Sequence, residues 1–159
     1  KLFEKLKQIR NHGIGKNNLT TTFGLNLRIP EISAAIAKIQ MKKLPRLISQ
    51  RKKNAEILTE LLENHDIILP EQRKNETVNW YLYTIAIENR DNAMKLLNSS
   101  GIGARAYYSP PVHTTPYYKT RIHLANTEWA ASHVLSLPVH PKVGKQDLER
   151  MKKILLERN

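Results

Sequence analysis

Between Pro30 and Asn64 apolar side chains recur at steps of three and four residues: Ile32, Ala35, Ile36, Ile39, Leu44, Leu47, Ile48, Ala55, Leu58, Leu61 and Leu62. That spacing predicts one amphipathic helix. Pro30 suits its first turn, and Glu31 complements the positive end of its dipole. At the α-helical rise the element would run on the order of 50 Å. A body built from 159 residues is narrower than that, so the helix is expected to project from it or to bridge two bodies. Pro45 falls inside the pattern. It removes one backbone donor and disfavours helix at Leu44, so a kink or break is expected there. The stripe lacks sustained heptads, which argues against a coiled coil.

Downstream the period changes. "TVNWYLYTIAI" (77 to 87) is rich in β-branched and aromatic residues and reads as a strand, and "RDNAMKLLNSSG" (90 to 101) as a short helix closed by Gly101. "IGARAYY" (102 to 108) reads as a second strand, and "SPPVHTTPYY" (109 to 118) as a loop, because its prolines forbid regular pairing. "NTEWAASHV" (126 to 134) reads as a helix, "LSLPVHP" (135 to 141) as a brief strand, and "KQDLERMKKILLER" (145 to 158) as a closing amphipathic helix. Strands separated by single helices predict an α/β fold, a small sheet with helices packed on it.

Charge narrows the partners without choosing one. The 26 Lys+Arg against 14 Asp+Glu give a net charge of +12, which favours anions: nucleic acid, acidic lipid or phosphorylated small molecules. The absence of cysteine from the sequence excludes disulfides, thiolate nucleophiles and Cys-ligated zinc, and fits a reducing compartment. No apolar run reaches the roughly 20 residues of a membrane helix, and "KLFEKLKQIRNHG" has no signal-peptide core. A soluble, cytoplasmic chain is expected. Because it begins at Lys1 rather than Met, it reads as a piece of something longer.

Asn26 and Arg28 stand among apolar neighbours just before the long helix. An amide donor and a permanent cation beside a helix N-terminus suit a phosphate or carboxylate; the alternative is hydrogen bonding that ends the loop and caps the helix. Glu31 would repel an anion on the first turn, so an anion is expected upstream, toward Asn26. In "YYSPPVH" (107 to 113) aromatics interleave with Arg105, Lys119 and Arg121. That pattern suits base stacking or a small-molecule pocket, and equally an ordinary proline-stiffened loop. The histidines show no HExxH and no helical ligand pair, so no metal site is expected. "NHGIGKNN" (11 to 18) and "GIG" (101 to 103) lack the further glycines of nucleotide-binding loops and read as a turn and a helix cap.

The ordered set "RNHG" (10 to 13), "GLNLRIPEISAAIAKIQ" (24 to 40), Arg51, "SGIGARAYYSPPVH" (100 to 113) and "VLSLPVHP" (134 to 141) closely resembles the C-terminal part of the DegT/DnrJ/StrS family of pyridoxal-phosphate-dependent sugar aminotransferases. The resemblance implies the small C-terminal α/β domain of a fold-type I transferase plus a long interdomain helix. Residues 1–29 would finish the large cofactor-binding domain, 30–64 would link domains, and 65–159 would form the small domain.

The same resemblance implies that Asn26 reaches the cofactor phosphate of a homodimer partner and that Arg28 lies near the carboxylate of the amino donor or keto acid. It places His113, and less directly Tyr108, near the substrate, and sets Trp80 near the position of a family histidine. The Schiff-base lysine, the ring-stacking aromatic and the acid that pairs with the pyridine nitrogen belong upstream of "RNHG", so no catalytic residue is assigned and the fragment alone is expected to be inactive. The implied reaction moves an amino group, most simply from glutamate, to a nucleotide-linked keto sugar on pyridoxal 5'-phosphate. A neighbouring branch that replaces the lysine with histidine dehydrates sugars instead. Two readings of other classes stand beside it: a nucleic-acid-binding regulator, for which no basic recognition helix is legible, and a stand-alone interaction domain.

Overall fold

The structure, a computed structural model, describes residues 1–118 and 122–157. Lys119 and Arg121 of the tyrosine-rich loop lie outside the described residues. The chain forms two compact units, Lys1–Leu44 and Pro45–Asn159.

The first unit begins with α1 (Leu2–Arg10), whose Glu4 and the pair Lys7 and Arg10 match the two ends of its dipole. The carbonyls left over at its C-terminus are met by later backbone. Gln8 accepts from Asn11 and Gly13, Ile9 from Leu25 at 2.7 Å, and Arg10 from Leu27 at 3.0 Å. The segment 24–27 is thereby docked on the end of α1, and His12 N–H closes the junction on Leu25 O at 3.1 Å. Two glycines allow that approach. Gly13 has φ +69, and a Cβ on it would stand 1.8 Å from Thr22 O; a Cβ on Gly24 would stand 1.8 Å from Gly13 N. The unit has almost no interior of its own. Gly13 is its one buried residue, and Phe23, Ile32, Ile36 and Ile39 are all exposed, Ile32 at 77%.

The long helix, α2 (Glu31–Leu62), continues through Pro45. Of the kink or break expected there, the break is absent. Residues 41–46 are exposed, so the carbonyl that loses its donor to Pro45 is open to water. Farther along, α2 buries Ala55, Leu58 and Leu62.

In the second unit those residues meet a two-stranded antiparallel sheet, β1 (Tyr83–Ala86) and β2 (Val134–Leu137). The register pairs buried Tyr83 with Leu137 and Ile85 with Leu135, while Thr84 and Ser136 share a hydroxyl hydrogen bond of 2.8 Å. Ile68 extends the ladder beyond Ala86, and Arg105 extends it beyond Ser136, each by a single bridge. The predicted strand 102–108 is therefore one paired residue. The predicted strand 77–87 shrinks to four residues, because Asn79 Oδ1 accepts from Tyr81 N–H at 2.9 Å and Trp80 sits at φ +48, a turn that ends pairing.

Three helices follow from local signals: α3 (Arg90–Ser99), α4 (Ala125–His133) and α5 (Lys145–Leu156). Gly101 at φ +79 closes α3, with Ile102 N–H on Leu97 O and Gly101 N–H on Asn98 O, while Ile102 and Leu97 are both buried. Gly144 N–H donates to Asp147 Oδ2 at 2.9 Å and starts α5. Ala93, Leu97, Leu148, Met151 and Leu155 complete the core over the sheet. Asn54 of α2 donates to the carbonyls of Val139, His140 and Val143, and Thr59 bonds the Tyr83 hydroxyl at 2.7 Å. Burial pushes the Tyr83 phenol above its ordinary pKa, with Thr59 acting in the opposite sense. Among the described residues no helix is long and apolar enough to cross a membrane.

Candidate functional site

The predicted residues fall into two groups, one in each unit. In the first unit the Asn11–Asn26 bridge puts the "RNHG" and "GLNLR" motifs side by side. Arg28 then donates twice to Asn11 Oδ1, from Nε at 3.1 Å and from Nη2 at 2.8 Å. It does not cap α2. Asn26 is exposed, and its side-chain amide has no hydrogen bond among the described residues. Asn11 and Arg28 line a groove of about 600 Å³ whose lining also includes Lys7, Arg10 and Lys16 against the single acid Glu4. A groove of that polarity suits an anion. Asn11 was legible only as part of a motif; nothing in the sequence marked it as the residue that aims Arg28.

In the second unit the loop 107–118 carries Tyr108 and His113. Tyr108 is exposed, packs edge-on against Tyr107 with ring centres 5.3 Å apart, and lines a cavity of about 370 Å³ against Asn126, Thr127 and Ala130 of α4. His113, on a turn of 3-10 helix (Val112–Thr114), is mostly buried and turns to Glu128, with Nε2 3.1 Å from Oε1. The same carboxylate accepts from Leu124 N–H at 2.9 Å and meets His123 Nδ1 at 2.7 Å. The Leu124 amide, followed by His113, holds the Glu128 carboxyl below its ordinary pKa.

Arg90 anchors the other end of this loop. Buried at 5% exposure, it donates to Val134 O, Ala131 O and Ser109 Oγ, while its Nε lies 2.7 Å from Asp91 Oδ1. Neither Glu128 nor Arg90 had a sequence signal beyond its place in the first turns of a helix. Trp80, by contrast, is a core residue, 8% exposed and 5.7 Å from the Tyr83 ring. Among the described residues no group of three His, Cys, Asp or Glu side chains is arranged to hold a metal ion.

A small mixed sheet-and-helix unit on a long helix, with these motifs in this order, defines a piece of a fold-type I transferase. The chain belongs to the DegT/DnrJ/EryC1/StrS aminotransferase family, whose profile matches residues 1–155. It is 31% identical over 152 residues to a pleiotropic regulatory protein of Geobacillus stearothermophilus, which covers 91% of this chain and 41% of that protein. It is also 31% identical over 155 residues to the dTDP-3-amino-3,4,6-trideoxy-alpha-D-glucose transaminase of Streptomyces venezuelae, covering 94% of this chain and 41% of the relative. Among solved structures, a DegT DnrJ EryC1 StrS aminotransferase from Brucella abortus superposes with a TM-score of 0.85 at 28% identity, covering 98% of this chain and 43% of that one. The chain thus spans about 41% of the length of the curated relatives it matches.

Proposed function

We propose that the whole protein to which these residues belong is a pyridoxal-phosphate-dependent aminotransferase that moves an amino group from an amino acid, most simply glutamate, to a nucleotide-linked keto sugar. The observation that carries this reading is the pairing of Arg28 with Asn11 on a cationic groove, with Asn26 bridged to Asn11 through the backbone, in a chain of an aminotransferase family. In this reading residues 1–29 complete the cofactor-binding domain, 30–64 link it to the small domain, and 65–159 form that domain. The protein works as a cytoplasmic homodimer.

The residues present fit the phosphate end of the cofactor, since a free amide donor and fixed cations match a phosphoryl group. Bound pyridoxal phosphate would supply the electron sink that amino-group chemistry needs. Asn26 would hold its phosphate, as a donor from the partner subunit's side of a dimer. Arg28, held in direction by Asn11, receives the carboxylate of the amino donor and orients it. Tyr108 and His113 contact the sugar, with Glu128 holding the imidazole in place. The lysine that carries the cofactor is assigned to no residue here.

The test is the full-length protein with pyridoxal phosphate, glutamate and a panel of nucleotide-linked keto sugars. Amino-sugar product with stoichiometric 2-oxoglutarate supports the reading. A dehydrated sugar formed without consumption of glutamate points to the dehydratase branch.

The regulatory name of one relative and the charge of +12 favour a second reading, a DNA-binding regulator. The cations are spread along the exposed face of α2, at Lys42, Lys43, Arg46, Lys52 and Lys53, rather than gathered with base-reading side chains on one short element. Binding to unrelated duplexes is therefore expected to be weak, indifferent to sequence and steeply lowered by salt. Tight binding that prefers one sequence at physiological salt would replace the enzyme reading.

A further inference from the structure

Where the second half of α2, the turn before β1 and the end of β2 converge, the second unit forms an open cleft of about 200 Å³. Its polar lining includes Arg51, Tyr81, Arg105, Tyr107 and His140, and among the described residues lining it none is acidic. Arg51 is fixed at one edge. Its Nη1 donates to Trp80 O at 3.3 Å and Tyr81 O at 3.1 Å, and its guanidinium lies 5.7 Å from the Tyr81 ring centre. That leaves Nε and Nη2 uncommitted.

Arg105, an exposed residue, lines the same cleft. Its backbone is pinned by two hydrogen bonds to Ser136, 3.1 and 2.8 Å, whereas its guanidinium makes no hydrogen bond or ion pair among the described residues. His140 adds a third donor. Its Nδ1 accepts from Lys142 N–H at 3.3 Å, which puts the proton of the neutral ring on Nε2. Two arginines on one cleft with no acid in its lining suit an oxyanion, whose paired oxygens their planar forks match.

We propose that this cleft is a binding site for a small oxyanion, a phosphoryl group or a short dicarboxylate. Its volume lies below the roughly 300–1,000 Å³ of pockets that enclose whole ligands, so it holds the charged group and leaves the rest of any larger molecule outside. The site lies within the second unit and does not depend on the aminotransferase reading.

Phenylglyoxal modifies uncommitted guanidinium groups, and peptide-resolved mass spectrometry follows Arg105 by itself. In the full-length protein at fixed ionic strength, inorganic phosphate or glutarate is expected to slow modification of Arg105 about tenfold relative to chloride, the occupancy effect of a charge-assisted contact. Exposed Arg73 should keep its rate. Slowing by phosphate alone assigns a phosphoryl ligand, slowing by glutarate alone a dicarboxylate, and slowing by both an unselective oxyanion site. Arg51→Lys keeps the charge but removes the fork, and it should abolish most of the protection. Equal Arg105 rates in all three anions, protection no greater than that of Arg73, or full protection retained in Arg51→Lys would overturn the proposal.

Discussion

Asn11 Oδ1 accepts two hydrogen bonds from the single guanidinium of Arg28, at 3.1 and 2.8 Å, across 17 residues of sequence. The pair aims the remaining N–H groups of Arg28 as a unit. In the full-length enzyme Arg28→Ala is expected to cost about 1.5 to 3 kcal/mol in kcat/KM for the amino donor, the value of a lost charge-assisted contact. Asn11→Ala should cost less, and the double variant less than the sum. Asn26→Ala should instead speed cofactor loss on dialysis. Wild-type donor kinetics and cofactor retention in all four variants would leave the cluster a purely structural one.

Acid should loosen the loop that carries His113. The Glu128 carboxyl has its pKa lowered by the Leu124 amide and by His113, from an ordinary value of 4.5. A depressed folded-state pKa contributes stability that is complete above the unfolded value and disappears as pH falls through the folded one, so the window lies below pH 4.5. Amide exchange at Leu124 should accelerate there, and Glu128→Gln should show faster exchange already at neutral pH. Unchanged exchange in both cases would mean that the carboxylate does not hold the loop.

Gly13, Gly24 and Gly101 should rank differently when each is replaced by alanine. Gly101 has positive φ but open space around it, so alanine costs only the left-handed backbone penalty, about 1–2 kcal/mol. Gly13 adds a clash with Thr22 backbone, and Gly24 clashes with Gly13 itself. Urea titration of the full-length variants should place Gly13→Ala as the most destabilised.

The 159-residue chain by itself should neither transaminate nor retain the cofactor covalently. After pyridoxal phosphate and borohydride, mass spectrometry is expected to find no site-specific pyridoxyl lysine. One stoichiometric adduct at a single lysine would place the cofactor-bearing residue inside this chain.

The parts of the fold that were legible are those where side chains and backbone ask for the same thing. The stripe of α2 and the Gly101 cap are of this kind. α1 was missed because none of its residues is buried, so its pattern carries no core signal; its end is defined instead by backbone bonds from residues 25 and 27. The strands were drawn too long because β propensity at 77–82 is overruled by the turn at Trp80, where burial of the indole matters more than pairing. For the site, the chemistry of Asn26 and Arg28 was visible in residue type. Their geometric partners were not, because Asn11 and Glu128 act through contacts that only the fold creates.

Asn54 reaches carbonyls as far as 85, 86 and 89 residues ahead of it, and the core cluster that contains Leu58 runs on to Leu155 in α5. On the ribosome, therefore, α2 is made long before the residues that cover it. The core of the second unit is incomplete until synthesis has passed α5, and translation that stops short of Leu148 would release a chain whose core lacks Leu148, Met151 and Leu155. Chaperone engagement with nascent chains should persist through synthesis of the sheet and end only as α5 clears the exit tunnel.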